Sequence, residues 1–422
     1  MIYLKNATFI DWKTLEFKQN TNIAIEEGKG GRINFIDTIP NDVCVIDCSG
    51  QYVTKSFAVG HHHIYSALAA GMPAPRKIPT NFYEVLKYVW WTLDKSLTKE
   101  MIEYSALATA IYAAKAGNTF IIDHHASPNA IEGSLEIIAS ALDRAGLSHL
   151  LCYEITDRDG EDKALAAVDE TDSYLSKHQG LVGLHASFTV GQKTMKAAAD
   201  LMQKHKAGFH IHVAEDKLDE DLCTIDHSMR VVERLDYYGA LDYSSTILGH
   251  AIHVNDRERE ILRNSKAWIA QNPESNMNNN VGFFSLRGLD PDRVMLGTDG
   301  MHSDMIRSAQ MAYFAGVPHE AQDFETIYKR FRNVHNYLSQ NGFDGDSDNN
   351  LVVLDYKPRT EFNADNFLGH FFFAMSSSDV KHVISDGNVI VRDGKVITID
   401  EDAVLAQARE LSSVLWKKMS SV

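Results

Sequence analysis

Between residues 54 and 345, short apolar runs alternate with helix-like stretches, and this alternation constrains the fold more than any other feature of the chain. The runs are Gln51–Gly60, Phe120–Asp123, His149–Tyr153, Leu181–His185, Gly208–His212, Thr246–His250, Ala267–Gln271 and Val294–Asp299. Each has the length of a strand. Amphipathic segments such as Lys99–Gly117, Ala130–Gly146, Lys193–Lys206 and Asp256–Asn264 lie between them, two ending at a glycine. Eight such units in series predict an α/β chain folded as a (β/α)8 TIM barrel. Residues 1–53 and 346–422 read differently, as short strands and turns with an Asp393-Gly394 hairpin step and a closing helix over Glu401–Met419. They are expected to form the two parts of one small β-sandwich domain flanking the barrel domain of residues 54–345.

In a barrel, polar residues at the carboxyl ends of the strands open onto one face, where the chemistry sits. The first run ends in His61-His62-His63. Alternate residues of a strand share a side, so His61 and His63 can face one ion while His62 points away. The fifth run carries a second such pair, His210-Ile-His212, with Glu215 three residues on; His250 ends the sixth, and Asp299 follows the eighth in Gly-Thr-Asp-Gly. The candidate ligands are His61, His63, His212 and Asp299, although alternation alone does not separate His210 from His212. Imidazoles with one carboxylate suit a catalytic zinc or iron that keeps a position for water and lowers the pKa of that water to about 7. Glu215 is placed to shuttle protons, and His250, beside Asp299, to orient or deprotonate the water.

A net charge of −16 and a pI near 5.6 argue against nucleic acid and against an anionic membrane surface as partners. No apolar run reaches the roughly 18 residues of a membrane span, and the first residues carry no basic start followed by an apolar signal core. Cys44, Cys48, Cys152 and Cys223 make no C-x-x-C pair and read as small apolar fillers. A cytoplasmic protein acting on a small molecule, assembled as a homodimer, is the expectation.

The pairs His61-x-His63 and His212-x-x-Glu215, with Leu-Gly-His250 and Gly-Thr-Asp299-Gly, resemble the amidohydrolase superfamily over nearly the whole chain. More narrowly they resemble its aminohydrolase and chlorohydrolase branch, which includes guanine, cytosine, methylthioadenosine and triazine hydrolases. The stretches Asp123-His-His-Ala-Ser-Pro128, Gly183-Leu-His-Ala-Ser-Phe-Thr189 and Asn272-Pro-Glu-Ser-Asn-Met-Asn278 are most similar to the SsnA group of that branch. The resemblance implies His61, His63, His212 and Asp299 as ligands, Glu215, His250 and Asp299 as the proton-transfer residues, and His185 beside the substrate. No lysine ends the Leu181–His185 run, so a carbamylated bridge between two metals is absent and one divalent ion is expected, zinc first and iron second. His124 and His125 end the second run; one of the two is expected to face the pocket, and His125 is assigned to the substrate. The segment Ala70–Asp94, with Phe82, Tyr83, Trp90 and Trp91, follows the first pair and is expected to cover the pocket, Trp90 touching the substrate. One departure from the branch is Lys55-Ser56, where it has Pro-Gly.

The activity implied is hydrolytic deamination of a nitrogen heterocycle, a purine, pterin or pyrimidine. Metal-bound hydroxide would attack the amino-bearing carbon while Glu215 protonates the adjacent ring nitrogen. The alternatives are the same site with chloride or an amide nitrogen as leaving group, or a member that has lost catalysis; the latter should have lost ligands, and all four candidates are present.

Overall fold

The computed structural model describes residues 1–421. Eight strands carry the centre of the molecule: β1 (Phe57–His62), β2 (Asn118–His125), β3 (Ser148–Tyr153), β4 (Val182–Ala186), β5 (Phe209–Val213), β6 (Ile247–His250), β7 (Trp268–Gln271) and β8 (Val294–Leu296). Every pairing among them is parallel, with β1-β2-β3 in one sheet and β4 through β8 in sequence order in another. The two sheets meet at both seams through isolated parallel bridges. Leu151 and Ile155 pair with Gly180 and Leu184 at one seam, and His62 pairs with Asp299 at the other. The ladder expected as one ring is thus two arcs, of three strands and five, joined by single bridges.

Close backbone approach explains the second seam. A Cβ on Gly60 would lie 2.6 Å from the Leu296 carbonyl oxygen, and one on Gly297 would lie 2.8 Å from His61 Cβ, so only glycine fits at either position. The amides of Thr298 and Asp299 both donate to the His61 carbonyl, at 3.0 and 3.1 Å. Two donors spent on one acceptor break the ladder, and they also fix Asp299 beside the first strand.

Alternation sorts the strand side chains onto two faces. Ala58, Phe120, Ile122, Leu150, Trp268 and Met295 form one buried cluster, closed by Val334, Tyr337 and Leu338 of the helix Phe324–Gln340. Val59, Ile121 and Leu151 belong to the larger core with the outer helices, among them Lys99–Lys115 and Ser134–Ala145. Strand β2 is buried along its whole length, as parallel strands covered on both faces are.

Strands from both termini come together, but as one hydrogen-bonded sheet of nine strands where a sandwich was expected. Tyr52–Lys55 lies within it, paired parallel to Ile2–Ile10 and antiparallel to Leu351–Leu354. Asp393 (φ 50°) and Gly394 (φ 73°) are both left-handed, as a two-residue hairpin turn requires. The Lys55-Ser56 departure has a structural role at the joint between sheet and barrel. Lys55 Nζ lies 3.0 Å from the buried Asp346, which also accepts from His335 Nδ1 at 2.8 Å. Burial pushes the Asp346 carboxyl upward, but His335 and Lys55 outweigh it and hold it at about 2. No helix among the described residues is long and apolar enough to cross a membrane.

Candidate metal centre

His61, His63, His212 and Asp299 each present a ligand atom, and these atoms lie within 4.8 Å of one another. The hydrogen bonds behind them decide which atoms carry lone pairs. His63 Nδ1–H donates to the His124 carbonyl and His212 Nδ1–H to the His185 carbonyl, both at 2.7 Å. A carbonyl accepts only, so in the neutral rings both Nε2 atoms are bare, yet they face each other at 3.0 Å. His61 is set by a relay: its Nδ1 lies 2.7 Å from His210 Nε2, His210 Nδ1 lies 3.5 Å from Cys152 Sγ, and that thiol donates to the Asp123 carbonyl. Read in one direction, this chain leaves the buried His61 Nε2 bare as well, and no hydrogen bond reaches it.

Asp299 Oδ1 completes the group, 2.9 Å from His63 Nε2 and 3.5 Å from His61 Nε2. Burial opposes protonation of His63, but the Asp299 carboxylate pushes it up to about 9. A proton there answers Asp299 and still leaves His61 Nε2 unpartnered. Only a cation answers all four acceptors at once, so the donor set fits a divalent ion bound by nitrogen and oxygen.

Glu215 and His250 sit at the rim of this group, His250 Nε2 lying 3.5 Å from Glu215 and 3.8 Å from Asp299. His250 Nδ1–H donates to Asn276 Oδ1 at 2.8 Å, which leaves its Nε2 free to accept. Burial pushes Glu215 up to about 7, with His250 opposing and Asp299 adding to the rise. Ala214, His250, Ala251 and Asp299 all have φ between 46° and 69°. Non-glycine residues in that region cost of order 1–3 kcal/mol each, and such strain concentrates at functional sites.

A pocket opens over the cluster, lined by His63, His212, Glu215, Asp299, His185 and, from the covering segment, Phe82, Leu86, Trp90 and Trp91. Phe82, Leu86 and Trp90 are four residues apart and fall on one helical face. Phe82, Leu86 and Trp91 pack with Ile252 and Val281 across the mouth. His185 holds Thr189 through Nδ1 at 2.7 Å and is part of the wall. His125 is not: it is fully buried behind Tyr65 and Tyr153, with Nε2 on Ser127 Oγ, because β2 continues inward to that residue. His62 likewise turns away, onto Ser303. His124 also lies off the pocket, between the ligand rings and Glu154.

Several residues at the site have no signature in the sequence. His210 and Asn276, which orient His61 and His250, stood in stretches already noted for other reasons. Asp123, whose Oδ1 accepts from Ile64 N at 2.6 Å and so fixes the turn after His63, read as an ordinary strand end. Glu154 and Arg158, just beyond β3, line the pocket as well.

The family model described as "Amidohydrolase family" matches residues 59–327, the span that holds every one of these groups. The chain belongs to the amidohydrolase family. This amidohydrolase is a hydrolase of carbon–nitrogen bonds other than peptide bonds. It is 24% identical over 440 residues to a 5'-deoxyadenosine deaminase of Methanocaldococcus jannaschii, covering 98% of this chain and 100% of the relative. It is also 24% identical over 400 residues to a 5-methylthioadenosine/S-adenosylhomocysteine deaminase of Syntrophomonas wolfei, covering 89% of each. Among solved structures, an adenosine deaminase from Xanthomonas campestris with bound zinc superposes with a TM-score of 0.81 at 16% identity, covering 100% of this chain and 99% of the other. The atrazine chlorohydrolase from Arthrobacter aurescens, complexed with zinc, gives 0.82 at 15% identity over 98% and 100%. At these identities the structural matches speak for the fold, and with the family they imply a TIM barrel.

Proposed function

We propose that this amidohydrolase is a hydrolytic deaminase of an amino-substituted nitrogen heterocycle, acting through one divalent ion in a catalytic domain spanning residues 54–345. The observation that carries the reading is the convergence of three bare imidazole nitrogens and the Asp299 carboxylate, with Glu215 and His250 at their edge. The named activities of the curated relatives, deaminases of adenosine derivatives, support it.

His61, His63, His212 and Asp299 would hold the ion. When bound, it supplies the Lewis acidity that makes a water nucleophilic near neutral pH. Glu215, poised near neutrality by its burial, gives a proton to the ring nitrogen next to the amino-bearing carbon, which makes that carbon electrophilic. His250 takes a proton from the attacking water on Nε2, the atom that Asn276 leaves free. A carbon–oxygen bond forms. His250 then gives that proton to the amino group, the carbon–nitrogen bond breaks with its electron pair on nitrogen, and the new hydroxyl returns its proton to Glu215, so that ammonia leaves a ring carbonyl behind. Trp90, Trp91 and Phe82 keep bulk water out, which strengthens the interactions inside.

The test is ammonia release from purines, their nucleosides, pterins, pyrimidines and triazines, using zinc- and iron-loaded protein with metal content measured alongside. Turnover of at least one ring, lost on chelation and restored by metal, is expected. Fully loaded protein that releases ammonia from none of them would overturn the assignment.

A further inference from the structure

We propose that Glu154 and Arg158 read the ring of the substrate, and that the ring carries a cyclic amide, an N–H beside a C=O, in addition to its amino group. The N–H would donate to Glu154, and Arg158 Nη1 would donate to the carbonyl. This rests on the deaminase reading and narrows its substrate class.

Both residues line the pocket just beyond β3. The Glu154 side chain is 2% exposed, yet its carboxylate accepts no hydrogen bond: Oε1 lies 3.1 Å from Arg158 Nη2 without hydrogen-bond geometry, and Oε2 lies 3.6 Å from His124 Nδ1. A buried carboxylate left in this state lacks a donor. Arg158 donates through Nε to Asp159 and through Nη2 to Asp94, so Nη1 stays free among the described residues. Its guanidinium lies over Trp91, 5.2 Å from the ring centre, and is anchored by Asp94 and Asp159. A carboxylate without a hydrogen-bond donor and a guanidinium nitrogen without an acceptor therefore belong to one ion-paired group in the pocket wall.

Their distance from the chemistry sets what they can touch. A Glu154 oxygen lies within 4.8 Å of a His212 ring nitrogen, so the pair reaches atoms of the ring itself rather than of a distant substituent. Among the described residues Arg158 is the one Lys or Arg lining the pocket, and the carboxylates of Asp94, Glu154 and Asp159 surround it with negative charge, so an anionic group gains little there. A neutral edge with one donor and one acceptor satisfies both atoms. A ring edge of bare nitrogen and C–H satisfies neither, and a site built to hydrogen-bond a substrate rejects the analogue lacking those groups by orders of magnitude.

A merely structural role is the competing reading, because Arg158 also ties the covering segment, through Asp94, to the end of β3. Guanine and 2-aminopurine separate the two: both carry the amino group, and only guanine has the cyclic amide. For metal-loaded wild type, kcat/KM from ammonia release and binding constants should favour guanine by about 10²-fold or more. Glu154→Gln should lose at least about tenfold on guanine while changing less than about threefold on 2-aminopurine, with metal content unchanged. Equal losses on both rings would make the pair structural and overturn the proposal. So would a wild-type preference for 2-aminopurine, which needs no variant to fold. Ammonia from other rings but not from guanine also overturns it, while leaving the deaminase reading standing. If no ring is deaminated, that reading fails by itself, and the two binding constants still decide whether a cyclic amide is recognised.

Discussion

Gly297→Ala tests whether the joint between β8 and β1 holds the metal centre together. The backbone there is not left-handed, so alanine meets no conformational penalty and only space opposes it. The new methyl would lie 2.8 Å from His61 Cβ and 2.9 Å from the His61 carbonyl oxygen. Neither atom is the tip of a flexible side chain. The nearest neighbour, the Asn272 amide oxygen, is a side-chain tip that can turn aside, but the two His61 atoms cannot, so the strand itself must give way. Overpacking of this kind costs about 1–3 kcal/mol. With about 2.1 cal/mol/K of unfolding entropy per residue, a chain of 422 residues loses only about 1–3 °C of Tm for that cost. The larger effect should fall on the metal, because Asp299 is two residues on and its amide shares the His61 carbonyl with Thr298. Retention of zinc after dialysis against a weak chelator, read by elemental analysis, should drop at least about tenfold, the result of losing roughly 1.4 kcal/mol of ligand alignment. Gly369→Ala serves as the control, since a Cβ there meets nothing within 4 Å inside the helix Phe367–Phe373 and should stabilise by about 0.5–1 kcal/mol. If both variants keep their metal equally well, the seam does not position Asp299 and the account of the site is wrong.

Three further outcomes are expected. Glu215→Gln should keep metal and fold but lose turnover by about 10²-fold or more, because its carboxyl can no longer give up a proton; near wild-type kcat removes it from the mechanism. Trp91→Ala should raise KM or lower kcat at unchanged metal content, since Trp91 joins Phe82, Leu86, Ile252 and Val281 over the mouth; loss of thermal stability alone would make it core packing. Asp346 is held near 2 in the folded chain against an ordinary 3.8, so it contributes stability above about pH 4 that fades as pH falls toward 2. That is about 2 kcal/mol at most, and the gap in urea midpoint between wild type and Asp346→Asn should narrow over this window; a constant gap would show that the carboxyl is not held down.

The order of elements was legible because burial writes it directly into the chain. Strand β2 is apolar along Phe120-Ile-Ile since both its faces are covered, and the helix Asp256–Asn264 shows where Asn255 caps it through Glu258. His61, His63, Glu215 and Asp299 stood out because each follows such a run, where a strand must stop. What periodicity misjudged were the places where tertiary packing adds a condition. Alternation treats His210 and His212 alike, and only the position of the neighbouring strands turns one to the cluster and the other to His61 Nδ1. His125 looked like a pocket residue because it ends a run, but the strand keeps its hydrogen bonds to β3 through that residue and Tyr153.

The least legible parts are those that exist only once the ring of strands has closed. The carbonyls of His124 and His185 choose the tautomers of His63 and His212, and a carbonyl has no signature in a sequence. The left-handed conformations of Ala214, His250, Ala251 and Asp299 are equally silent, because no glycine announces them. The second of these facts has a visible setting in the backbone. Beyond β6 the amides of Ala251, Ile252 and His253 turn back to donate to the Val213 and Ala214 carbonyls at the end of β5, and beyond β8 two amides converge on His61. At the ends of β5, β6 and β8 the chain bends toward the neighbouring strand where the ladder gives out, and the positive φ values of Ala214, His250, Ala251 and Asp299 fall at these bends. That bend swings His250 Nε2 and Asp299 over the cluster instead of along the strand axis. The strain and the placement of His250 and Asp299 therefore go together, and relieving it at Ala251 or His250 would straighten the loop and withdraw His250 Nε2 from Glu215 and Asp299.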